Sequence, residues 1–149
     1  MTNKHTKIKM PFFNWNKPKE TKIDKISDFT IITLKINGMR FSCEYEMTND
    51  GKTVTVSLYQ KICVPDGWKR QLQKRTECSI DKALLLLNDC NLHKWNNFHG
   101  KHPKNVHDGI MFTLEANVNS GIRIHADGSE NFPEHFSDFR NGITNLLNE

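Results

Sequence analysis

Four histidines, His93, His99, His102 and His107, fall within fifteen residues, and His125 and His135 follow further along the chain. Neutral imidazole binds zinc and related ions well, and a loop could gather His99, His102 and His107 beside Asp108. Their intervals work against this. Two and four intervening residues lack the helical frame that aims two rings at one point when histidines stand at i and i+4. The residues themselves therefore imply no cofactor and no resident metal. His99, His102 and His107 form the alternative metal set, and the plainer reading is solvated histidines with one or two bonded to backbone.

Asp108, Asp127 and Glu130 are the carboxylates nearest these histidines, and paired carboxylates can perform acid–base work. Asp-Gly and Asp-Gly-Ser are, more simply, turn formers whose side chains bond nearby backbone N–H groups. The chain contains no glycine-rich phosphate loop, no G-x-S-x-G elbow, no H-E-x-x-H helix and no dinucleotide fingerprint. Lys69, Arg70, Lys74 and Arg75, next to Trp68, could hold phosphates and stack a base. The charge distribution argues against nucleic acid. Of 21 Lys plus Arg and 17 Asp plus Glu, seven lysines stand in residues 1–26 against Glu20 and Asp24, which leaves residues 27–149 with a net charge of −1. Nucleic-acid domains carry a dominant basic face instead.

The elements that must position these groups follow from hydrophobic period. Residues 29–36 are rich in β-branched types and run into Asn37-Gly38, a hairpin signal. Residues 40–47 alternate, with Phe41, Cys43, Tyr45 and Met47 on one side. After Asn49-Asp50-Gly51, residues 53–64 place Val54, Val56, Leu58 and Ile62 inward, so the three segments predict an antiparallel meander. Residues 68–77 read as a basic connector. Ser79 is placed to cap a helix whose inner stripe is Ile80, Ala83, Leu84, Leu87 and Cys90, ending near Asn91.

A long polar loop is expected between Leu92 and Asp108, a candidate functional surface. A second hairpin follows, with Phe112, Leu114, Ala116 and Val118 facing inward and residues 122–126 returning. Pro133 opens the last helix, whose stripe is Phe136, Phe139, Ile143, Leu146 and Leu147, with Phe132 just ahead of it. The sum is an α+β domain: an antiparallel sheet of about five strands in the order β-β-β-α-β-β-α, with two helices packed on one face.

Residues 1–26 predict a basic, flexible tail, and residues 27–149 a single domain. Phe12, Phe13 and Trp15 in that tail give a secondary reading, contact with a membrane surface. No apolar run is long enough to span a bilayer, and the expected location is cytoplasmic unless an export signal precedes residue 1. The four cysteines show no C-x-x-C spacing and read mostly as buried thiols.

Trp95-x-x-Phe98-x-Gly100, Asp108-Gly109-x-x-Phe112-x-Leu114 and Ala126-Asp127-Gly128-Ser129-Glu130-Asn131-Phe132-Pro133-x-x-Phe136 together resemble a set of small uncharacterised bacterial proteins with these motifs in this order. The resemblance covers the last third to half of the chain. It implies a shared structural signature and no activity, substrate or catalytic residue. The functional expectation is a non-catalytic binding or interaction module with a protein or small-molecule partner. The candidate surface is Trp95, Phe98, His99, Asp108, Asp127, Glu130 and Asn131, with Trp95 and Phe98 expected to pack inward as loop anchors. Two alternatives stand beside it: a small metal-dependent or hydrolytic enzyme using loop 93–108, and a toxin-neutralising or inhibitory partner protein.

Overall fold

A computed structural model of the chain describes residues 22–149. The aromatic knot of Phe12, Phe13 and Trp15 lies outside the described residues. Seven strands, β1 (Phe29–Asn37), β2 (Ser42–Asn49), β3 (Val54–Val64), β4 (Gly67–Cys78), β5 (Phe98–Gly100), β6 (Met111–Val118) and β7 (Ile122–Ser129), form one sheet in the order β4-β3-β2-β1-β6-β7-β5. Two helices, α1 (Ile80–Asp89) and α2 (Phe136–Leu147), complete the α+β domain.

The expected five-stranded, purely antiparallel sheet is therefore corrected in two places. Residues 68–77 are not a connector: they belong to β4, paired antiparallel to β3 along its length. Nine of the twelve β4 residues from Gly67 onward are exposed in an unbroken run, so no buried face imposes an alternation on the sequence. The polar loop holds a short 3₁₀ turn, Leu92–Trp95, and then β5, which runs parallel to β7 and makes the sheet mixed. Three residues are too few to show a period of two.

Cross-strand register explains which face is sealed. Inward positions line up as Val56, Met47, Ile32, Ala116 and Ile124 in one row, and as Leu58, Tyr45, Leu34, Leu114, Ala126 and Phe98 in the next. Ala83 and Leu87 of α1 join the same core, with Phe136, Phe139, Ile143, Leu146 and Leu147 of α2. Ser79 caps α1 as expected, its hydroxyl accepting the Lys82 N–H at 3.1 Å. The helices approach closely where Gly142 faces Leu86, since a Cβ on Gly142 would stand 2.3 Å from the Leu86 Cδ1.

Part of the segment expected to be tail belongs to this core. Ile26 is fully buried. Its N–H donates to Asn88 Oδ1 at 2.8 Å, and its carbonyl accepts from Asn88 Nδ2 at 2.9 Å. One residue of the β6–β7 turn holds the adjoining backbone: Asn119 Oδ1 accepts from Ser27 N–H, and Asn119 Nδ2 donates to the Lys25 carbonyl. No helix among the described residues is long and apolar enough to cross a membrane.

Candidate functional site

On the other face of the sheet the same register sets polar groups in rows. Ser57, Glu46, Thr33, Glu115 and His125 lie side by side, and so do Tyr59, Glu44, Lys35, Thr113, Asp127 and His99. Neither helix packs here, because successive residues of a strand point to opposite faces and the helices cover the apolar one.

At the β6-β7-β5 end of these rows, five charged or titratable side chains form one chain of contacts. Arg123 grips Glu115 with two nitrogens, Nε and Nη2 donating to Oε2 at 3.0 and 2.9 Å. Glu115 Oε1 lies 2.5 Å from His125 Nδ1, His125 Nε2 lies 2.9 Å from Asp127 Oδ2, and Asp127 Oδ1 lies 3.0 Å from His99 Nδ1. The ladder fixes the spacing: His125 and Asp127 are two apart on β7, and His99 is the direct cross-strand partner of Asp127.

These contacts displace the titration of His125, Asp127 and Glu115. Hydrogen bonds to Asp127 and then Glu115 hold the His125 pKa above the usual imidazole range. Bonds from His99 and then His125 hold the Asp127 carboxyl below the usual range. Glu115 is lowered first by Arg123 and then, against a smaller burial effect, by His125.

The residues expected to form the functional surface separate into three groups. His99 and Asp127 meet in this cluster. Trp95 is 2% exposed, donates its indole N–H to the Glu134 carbonyl at 3.1 Å and packs on Phe136 and Phe139, while half-buried Phe98 packs on Phe112. Glu130 and Asn131 shape the backbone. The Glu130 carboxylate and N–H bond the Ile110 N–H and carbonyl respectively, and Asn131 Nδ2 donates to the Lys101 carbonyl. Asp108 is exposed beside a groove that His102 and His107 also line.

The alternative metal set of His99, His102 and His107 is not brought together. His102 is engaged at both ring nitrogens, by the Ser129 hydroxyl at 2.7 Å and by the Val106 carbonyl, so it pins the loop to β7. Among the described residues, the three side chains whose ligating atoms all lie within 4.8 Å of one another are His99, His125 and Asp127. His125, Glu115 and Arg123 were not singled out by the sequence as site residues. The signal was present, since His125 and Asp127 sit two apart in a strand, but reading it required knowing that β7 runs on past Ala126.

A second surface lies at the end of the sheet where β1 turns into β2. Three grooves meet at Asn37. The exposed large apolar side chains in their walls are Trp68, 67% exposed, Met39, 70% exposed, Met111 and Phe41. The groove of about 320 Å³ between β1 and β4 is lined by Lys35, Lys61, Arg70 and Glu44 as well as Trp68. Arg70 lies over the Tyr59 ring at 3.4 Å and bonds Glu44 at 2.6 Å, and Lys61 lies 5.9 Å above the Trp68 ring. In comparisons with known proteins, no family model matches the chain, and no curated protein and no solved structure matches it at a significant level.

Proposed function

We propose that the chain is a non-catalytic binding module, and that it grips an acidic, partly apolar protein surface through the end of the sheet around Asn37. One observation carries this reading: four of the large exposed apolar side chains, Met39, Phe41, Trp68 and Met111, converge on grooves that share Asn37. Scattered apolar residues need no explanation, whereas a cluster of Trp, Phe and Met rimmed by polar groups is the composition of a contact surface.

Charge selects the partner. Lys35, Arg40, Lys61 and Arg70 surround the apolar groups, and Glu44, the one acidic wall residue of the β1–β4 groove among the described residues, is already neutralised by Arg70. Lys35, Arg40 and Lys61 form no ion pair among the described residues, which leaves them free for carboxylates of a partner. Among the described residues the adjacent strand β4 lies at the sheet edge and pairs only with β3, so an extended partner segment has an edge to run beside.

The test places a photo-crosslinking p-benzoylphenylalanine at position 68 and, as reference, at position 85 on the far helix. Crosslinking at 68 to one acidic protein, absent at 85, is expected. That protein, once purified, should bind Trp68→Ala at least about tenfold more weakly than the unaltered chain, the loss typical of a central aromatic. Equal crosslinking at both positions, none at 68, or adducts with nucleic acid would overturn the proposal.

A further inference from the structure

We infer that His99, His125 and Asp127 form a binding site for one divalent ion of the zinc class, on the polar face of the sheet and apart from the Asn37 surface. The three donors stand on backbone that is already fixed. His99 faces Asp127 across the β5–β7 pair, and His125 precedes Asp127 on the same face of β7. No loop has to fold to bring them together.

The distances suit a metal as well as a proton. His99 Nδ1 and His125 Nε2 approach different oxygens of one carboxylate, at 3.0 and 2.9 Å. In a tetrahedral zinc site with bonds of about 2.0–2.1 Å, neighbouring donor atoms are about 3.3 Å apart. An ion would take the place of the two shared protons, with the two imidazole nitrogens, which lie within 4.8 Å of one another, drawing together around it.

The support behind His125 is an independent observation. A metal-ligating imidazole ordinarily donates its second N–H to a carboxylate, which fixes the ring and raises its basicity. His125 presents Nε2 towards Asp127 and has Glu115 at its Nδ1, and Arg123 holds Glu115 in place from the other side. Side-chain exposures of 62% for His99, 34% for His125 and 41% for Asp127 let water supply the remaining coordination positions. Two imidazoles with one carboxylate favour zinc, cobalt or nickel over magnesium or calcium, which prefer oxygen donors throughout.

The experiment titrates the full chain with Co²⁺, followed by its visible absorption, and with Zn²⁺ by calorimetry, at a pH above the imidazole range. One equivalent is expected to bind, with d–d bands of a four- or five-coordinate ion. His125→Ala, His99→Ala and Asp127→Asn should each weaken binding at least tenfold. Glu115→Gln, which leaves every donor in place, should weaken it by about 10–100-fold. His102→Ala, His107→Ala and His5→Ala should bind like the unaltered chain. Circular dichroism and thermal melts of each variant separate a lost donor from a lost fold. No binding at millimolar metal, or unchanged binding by His99→Ala and His125→Ala, overturns the site. A transfer of the loss to His5, His102 or His107 overturns it equally.

Discussion

Gly100 and Gly128 face one another across the β5–β7 pair, and the carbonyl oxygen of Asn131 lies 2.2 Å from where a Cβ on either of them would stand. Backbone of β5, of the end of β7 and of the turn that follows it thus packs at one point, with no room for a methyl group on either glycine. The rings of Phe98, Phe132 and Phe136 gather around Phe112 beside this junction, and Trp95 packs on Phe136. The spaced tryptophan, glycine and Gly-Ser-Glu-Asn-Phe-Pro motifs are, in this fold, parts of one structural joint.

Substitution at either glycine should therefore destabilise the domain. Gly128→Ala is expected to cost about 1–3 kcal/mol, at the upper end because the opposing atom is a backbone carbonyl that cannot rotate away. Urea unfolding measures it, and Gly121→Ala, where nothing lies within 4 Å but φ is +107°, provides a comparison in which strain arises from the backbone alone.

Trp95 and Trp68 should behave as opposites. With Trp15 and Trp68 replaced by Phe, fluorescence from Trp95 is expected to be blue-shifted and nearly insensitive to iodide, whereas a chain retaining only Trp68 should be quenched readily. Trp95→Ala should cost about 3–5 kcal/mol, since it removes a buried ring and strands the Glu134 carbonyl.

The cysteines divide by environment. Cys63 is exposed, whereas burial pushes the Cys90 thiol up to about 11, and Cys43 and Cys78 are raised for the same first cause. A thiol-reactive disulfide reagent should titrate Cys63 first, Cys43 and Cys78 more slowly, and Cys90 only on unfolding. Because the folded state holds the Cys90 proton more tightly than the unfolded chain, its contribution to stability is complete below the ordinary thiol value of 9.0 and is lost as pH rises towards 11. Urea midpoints measured across that window should fall.

Asn88 should prove as important as a core residue. Asn88→Ala leaves the buried Ile26 N–H and its carbonyl without their side-chain partner, a loss of about 1–3 kcal/mol. Hydrogen exchange at Ile26 should quicken together with that at Lys25 and Ser27, while β1 keeps its protection.

The sequence exposed the fold wherever one face of an element is wet and the other dry. The terminal stripe of Phe136, Phe139, Ile143, Leu146 and Leu147 is buried as its helical spacing requires, and the alternation of β6 holds from Phe112 to Val118. It hid β4, which has no dry face to mark its period, and β5, which owes its existence to a long-range pairing with β7. The candidate site was hidden for the same reason. His99 and Asp127 stand out in the sequence as residue types, but their meeting depends on the parallel strand, and that of His125 with Glu115 and Arg123 on register across β6 and β7.

Contact through the Asn37 end of the sheet is read out by hydrogen–deuterium exchange on the full chain alone and with its crosslinked partner purified and added back. Slowed exchange in residues 38–42 and 61–70, with α1 unchanged, is the predicted footprint. Protection confined to α1 around Leu85, or no difference between free and bound chain, would contradict it.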